Sequence, residues 1–174
     1  MALYDAVQIC QMRSEPDNAL KFGEAAVGYL ADAAKVRPST ASTFLLGRLY
    51  FRLGTIHSMH HHDHKAAVGW FDKAIPLLEH ATPEDLAGDL GRQGEAFVGM
   101  GVSYWEAGQH DPALALTKKG VKWMEQAATQ GTLDRSALVV PYSNLAAMHR
   151  KLGADNLANH FQEMAARVKS ETLK

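Results

Sequence analysis

The stretch MGVSYWEAGQHDPALALTKKG, Met100 to Gly120, decides the fold, because two other segments of the chain align on it. One is LGTIHSMHHHDHKAAVGWFDKA, Leu53 to Ala74, and the other is LAAMHRKLGADNLANHFQEMA, Leu145 to Ala165. Each opens on a large apolar residue followed by a small one: Leu53-Gly54, Met100-Gly101 and Leu145-Ala146. An alanine (Ala67, Ala113 or Ala158) follows the small residue after 12 or 13 positions, and a second small residue (Ala74, Gly120 or Ala165) comes seven positions later. Two antiparallel helices approach closely only where neither carries a bulky side chain, and larger neighbours then interlock around the contact. Phe97, Tyr104, Leu116, Val121, Tyr142, Phe161 and Met164 supply those neighbours. Ala19 and Ala26 keep the same seven-residue separation in a partial fourth copy at the start. Such repetition is the sign of stacked supersecondary units.

Outward from these segments the chain reads as helix throughout. No run of β-branched and aromatic residues alternates with polar ones, and the nearest approach, Ala137 to Val140, is embedded in a helical pattern. Helix starts are expected at Glu15-Pro16-Asp17, Ser39 or Thr40, Asp63, Thr82-Pro83-Glu84-Asp85, Asp111-Pro112, Thr132 and Asp155. Short polar side chains accept from the free amides of a first turn, and proline fits the first helical position. Gly108, Gly131 and Gly153 are expected stops, since glycine tolerates the left-handed conformation that ends many helices. Seven or eight helices result, with no segment long enough to be a linker. The expected domain is a single one, 1–174, with repeats near 1–36, 37–80, 82–130 and 132–172.

The chain has 174 residues, of which 47% are hydrophobic; 18 basic residues face 19 acidic ones, for a net charge of -1. That balance excludes a strongly one-signed surface and argues against a nucleic-acid partner. No secretory signal and no long apolar run is present, so membrane insertion is not expected and a soluble cytoplasmic protein is. A lone cysteine, Cys10, cannot form an internal disulfide, which agrees with a reducing compartment.

The aligned residues resemble the tetratricopeptide repeat, a helix-turn-helix unit. Phe97, Met100, Gly101, Tyr104, Gly108, Ala113 and Gly120 match it best; Tyr142, Leu145, Ala146, Gly153, Ala158 and Ala165 come next, in a copy similar to the longer repeats of the kinesin light chain type. The resemblance implies an all-α solenoid of about three full helix pairs, a degenerate N-terminal pair and a C-terminal capping helix with Leu157, Phe161, Met164 and Val168 on one face. The chain departs from the family in its spacing. Its marker alanines recur 48, 46 and 45 residues apart against the usual ~34, which predicts a first helix lengthened by two or three turns. The turn around His60 to Asp63 carries an additional residue.

The resemblance further implies a protein-binding scaffold whose first helices line a groove for a peptide or helix. Carried onto this chain, the groove residues are Arg48, Arg52, Val98, Val102, Trp105, Asn144, Arg150 and Lys151. Asn144 stands where the family often holds a peptide backbone through an amide, and the arginines suit an acidic or C-terminal peptide. The weaker N-terminal copy, with Tyr4, Val7, Leu20, Phe22 and Val27 as apolar contacts, is the expected surface for a homo-oligomer.

Five of the nine histidines fall between His57 and His64. His57, His60, His61 and His64, with Asp63, are candidate ligands for zinc, nickel or copper, metals that favour nitrogen donors. The competing reading is a polar turn in which Asp63 caps the next helix. Catalysis is not expected, because no nucleophile with a base, carboxylate pair or phosphate loop has recognisable spacing. A metal-binding helical protein and a regulatory domain of a larger protein remain the alternatives to the scaffold, and no other cofactor is expected.

Overall fold

The computed structural model describes residues 2–36, 39–80 and 90–171. Its helices are α1 (Ala2–Met12), α2 (Pro16–Val36), α3 (Thr40–His60), α4 (His64–Glu79), α5 (Leu90–Glu106), α6 (His110–Thr129), α7 (Val139–Lys151) and α8 (Asp155–Glu171), with a 3-10 turn at Arg135–Leu138 before α7. No strand occurs among the described residues, and the fold is an all-α solenoid of helix pairs. The chain divides into two compact units, Met1–Ala87 and Gly88–Lys174.

In the first unit, α1 packs on α2, α2 on α3 and α3 on α4. Val7, Cys10, Ala19, Ala26, Leu49 and Ile56 form the core of its N-terminal half, and Leu20 and Val27 lie against them partly buried. Phe22 points out, 37% exposed, because the buried line of α2 runs through Ala19, Gly23 and Ala26. A Cβ on Gly23 would come within 2.5 Å of Leu53 Cδ2, so this line is where α3 comes closest. The side chain of Tyr4 lies outside the described residues, as does the expected start at Thr82-Pro83-Glu84-Asp85.

The second unit is built on the α5/α6 pair, with α7 and α8 packed beside it. Gly94 and Gly120 face each other across the pair: a Cβ on Gly120 would stand 2.5 Å from the Gly94 carbonyl oxygen, and one on Gly94 would stand 2.7 Å from that of Gly120. Ala113 and Gly101 make the same close approach further along, where a Cβ on Gly101 would reach the Ala113 carbonyl at 2.9 Å. Thr117 is fully buried in this contact, and its hydroxyl is satisfied within its own helix by donating to Ala113 O, 2.8 Å away. The small residues thus act as the repeat pattern predicts. Around them Val98, Val121, Met124, Leu138, Tyr142, Leu145, Ala165 and Val168 close the core.

Five of the described helices, α1, α3, α5, α6 and α7, end by one device. The residue past the helix turns left-handed at Ser14 (φ 57), His62 (53), Gly108 (81), Gly131 (72) and Gly153 (72). The next amide then donates back to an orphan carbonyl, as in Gln109 N to Tyr104 O at 2.9 Å and Ala154 N to His149 O at 2.9 Å. At the histidine turn the bond runs from Asp63 N to His57 O, 2.9 Å, one residue wider, which is where the additional residue is absorbed. Ser39 begins α3 through a reciprocal capping box with Ser42, and the Asp63 carboxylate caps α4 by accepting from Ala66 N at 2.9 Å.

Several expectations are corrected. The surplus length is not uniformly in the first helix of each pair: α3 has 21 residues, but α7 has only 13, and the second helix α6 takes 20. Helix α6 starts at His110, one residue before Asp111, with no side-chain cap. Thr132 caps nothing; its hydroxyl donates back to Ala127 O at 3.1 Å, and Asp134 caps the 3-10 turn instead. Leu157, in the first turn of α8, is 46% exposed, while Ala158, Ala165 and Val168 carry the buried line of that helix.

Candidate functional site

Helix geometry gathers half of the expected groove residues in one place. Val102, Trp105 and Glu106 stand at i, i+3 and i+4 on the last turns of α5, and Asn144, Ala147, Met148 and Lys151 at i, i+3, i+4 and i+7 on α7, so each set lies on one helix face. Together these seven residues line a shallow cleft of about 140 Å³ within the second unit. Trp105, 9% exposed, stacks its indole on the His110 imidazole at 4.2 Å. Met148 is buried behind the cleft, with its sulfur 3.9 Å from the Thr117 hydroxyl. Asn144 is half-buried, and among the described residues its amide has no hydrogen-bond partner. Lys151 stands exposed at one end, so the cleft offers an apolar wall, an amide with free donors and acceptor, and one charge of each sign from Lys151 and Glu106.

The other expected residues are placed differently. Val98 packs in the core, 7% exposed, with its Cγ2 2.8 Å from where a Cβ on Gly120 would stand, and it does not line the cleft. Arg150 is exposed on α7 but does not line the cleft. Arg48 and Arg52 are one turn apart on α3, in the first unit. The Arg48 guanidinium lies 6.0 Å from the Phe44 ring centroid, and Arg52 has a partner of its own.

The histidine tract straddles a turn. His57 and His60 belong to α3, His61 is its C-cap, His62 is left-handed and His64 is the first residue of α4. The His57 and His61 rings come to 5.8 Å between centroids, while His61 Nε2 turns to Asp17 Oδ1 at 3.6 Å and Asp63 is committed to its cap. No group of three or more His, Cys, Asp or Glu among the described residues is placed to hold a metal ion.

Two further features of the second unit arise from helix packing. His149, 4% exposed, stacks on Phe161 at 5.6 Å with the rings nearly parallel, and its Nε2 has no hydrogen-bond partner. Burial, reinforced by the Lys118 ammonium, holds its pKa below the ordinary 6.5. The second feature is a cavity of about 490 Å³ lined by Glu125, Ala128, Thr129, Arg135, Leu138 and Tyr142. There the Tyr142 hydroxyl donates to Glu125 Oε1 at 2.6 Å. Burial and the Glu125 carboxylate push the phenol well above its ordinary pKa of 10. These residues are 17 apart on different helices, so no local motif announces them.

No family model matches the chain, and no curated protein is similar to it in sequence. Solved structures are similar to it in fold. BtubC (BKLC) from P. vanneervenii superposes with a TM-score of 0.70 at 17% identity, over 95% of this chain and 61% of that one. The likeness is one of fold, a helical repeat similar to that of BtubC. The chain spans about three-fifths of that neighbour's length. No described helix is long and apolar enough to cross a membrane.

Proposed function

We propose that this chain is a non-catalytic tetratricopeptide-like scaffold of the cytoplasm that binds a peptide or helix of a partner protein. The observation that carries the reading is the Asn144 amide, half-buried and without a protein partner in the cleft beside Val102 and Trp105. The Asn144 amide is open to the cleft, and an extended peptide offers the carbonyl and N–H that would pair with its donor and acceptor. Lys151 and Arg150 favour a ligand carboxylate nearby, and Arg48 and Arg52 on α3 would meet carboxylates of the same kind of ligand. Val98 acts only by packing.

Affinity purification from the native cell, comparing wild type with an Asn144→Ala/Lys151→Ala variant, tests this reading. The expected result is loss of specific partners at an unchanged melting temperature; an identical set of captured proteins rules the cleft out. Self-association through the N-terminal helices belongs to the same reading, supported by the exposed side chains of Ile9, Met12 and Tyr29, at 49%, 83% and 73%. Sedimentation velocity of a Met12→Glu/Tyr29→Glu variant checks it, with a monomer expected where wild type associates.

A further inference from the structure

The 490 Å³ cavity of the second unit is separate from the cleft, and its chemistry follows from where the protons are. The Tyr142 hydroxyl spends its proton on Glu125 Oε1 at 2.6 Å. The Thr129 hydroxyl spends its own on the Glu125 carbonyl oxygen at 2.8 Å. A hydroxyl has one proton to donate, so both now present only lone pairs, next to those left on the carboxylate. Glu125 is half-buried, and no cationic side chain among the described residues forms an ion pair with it. A carboxylate flanked by acceptor oxygens and held in no ion pair selects a ligand that is positive and rich in donors, against the opposing charge of Arg135 on the same lining.

We propose that this cavity binds a primary ammonium group at the end of an alkyl chain, with the Glu125 carboxylate as its counter-ion and the Tyr142 and Thr129 oxygens as further acceptors. An ammonium has three donors, which three such acceptors match. A guanidinium fits less well, because its planar fork prefers both carboxylate oxygens and Tyr142 already holds one of them. Ala128 and Leu138 line the same cavity and suit a methylene stem. The volume lies in the range that takes a small molecule or one long side chain. Arg135 is 63% exposed and pairs loosely with Glu171 at 3.7 Å. Its charge also reaches Tyr142, where it opposes the upward shift of the phenol. Arg135 therefore weakens binding of a bare cation, and that sets the sign of one test. The ammonium can come from a free alkylamine or from a lysine side chain of a peptide.

The test is an NMR titration of the whole chain at low ionic strength with n-butylamine, Nα-acetyl-lysine N-methylamide, the Nε-acetylated form of the latter, and the arginine analogue. Saturable shifts of the Thr129, Arg135 and Tyr142 amides are expected with the two ammonium probes in the millimolar range. Weaker shifts are expected with arginine, and none with the Nε-acetylated probe. Tighter binding of the lysine derivative than of butylamine assigns a peptide source, and equal binding a free amine; both support the site. Glu125→Gln should weaken binding about tenfold, the loss of one charged hydrogen-bond acceptor, and Arg135→Ala should strengthen it several-fold. Absence of saturable shifts, equal binding of the Nε-acetylated probe, or unchanged affinity in a folded Glu125→Gln variant overturns the proposal. Should Glu125→Gln not fold, Arg135→Ala at its exposed position decides: unchanged or weaker binding overturns it equally.

Discussion

The contact between α5 and α6 makes a sharp prediction from two glycines on the same pair. At Gly120 an added methyl would meet the Gly94 carbonyl oxygen at 2.5 Å, Val98 Cγ2 at 2.8 Å and Val98 N at 2.9 Å. Two of those three atoms are backbone and cannot rotate away, so the helices must separate by several tenths of an ångström along a packed core. Overpacking of this kind costs about 1–3 kcal/mol, and the rigid obstacles place it at the upper end. Alanine recovers about 1 kcal/mol through its better helix propensity. Gly120→Ala is thus expected to destabilise by about 2 kcal/mol, a fall in Tm of about 4–8 °C for a chain of this size. Gly99 lies on α5 with nothing within 4 Å of its added methyl. Gly99→Ala should therefore keep the whole propensity gain of about 1 kcal/mol and raise Tm by about 2–4 °C. Circular dichroism melts with parallel urea titrations measure both. A Gly120→Ala protein as stable as Gly99→Ala would refute the close approach on which the helix-pair argument rests.

Ser14 and His62 hold left-handed conformations that cost a side-chain-bearing residue about 1–2 kcal/mol; part of this returns on substitution, so Ser14→Gly and His62→Gly should each stabilise by about 0.5–1 kcal/mol in urea titrations. Because the native pKa of His149 is lowered, the unfolded chain binds more protons in acid. Stability is then complete above the ordinary 6.5 and falls as pH drops from there towards the native pKa. Urea midpoints at mildly acidic and neutral pH should show that slope in wild type and lose it in His149→Phe, which keeps the stack on Phe161; an equal slope in both proteins assigns the acid sensitivity elsewhere. Tyr142→Phe deprives Glu125 Oε1 of its donor and should cost about 2 kcal/mol. Spectroscopic titration of tyrosinate absorbance should show a late-ionising tyrosine in wild type that is lost in that variant.

Much of the architecture was legible in the residues because it rests on local rules. The glycine and alanine spacing marked where helices touch, since only residues without bulk permit backbone contact, and Gly94, Gly101, Gly120 and Ala113 are found there. Gly108, Gly131 and Gly153 marked helix ends for the equally local reason that glycine enters left-handed space freely. The i, i+3, i+4 spacing was enough to set Asn144 and Lys151 on one face of α7. What no spacing could supply is which of several faces meets a neighbour, because that depends on the rotation of each helix against the next. Val98 and Leu157 show the difference: one is carried into the core opposite Gly120 and the other out to solvent. The Glu125–Tyr142 pair and the buried His149 exist only once α6, α7 and α8 have packed, for their partners lie on separate helices. The sequence by itself therefore determined the period, the helix ends and the lines of close contact. Only the tertiary structure decided the electrostatics and the cavities, which arise from side chains brought together by packing rather than by position along the chain.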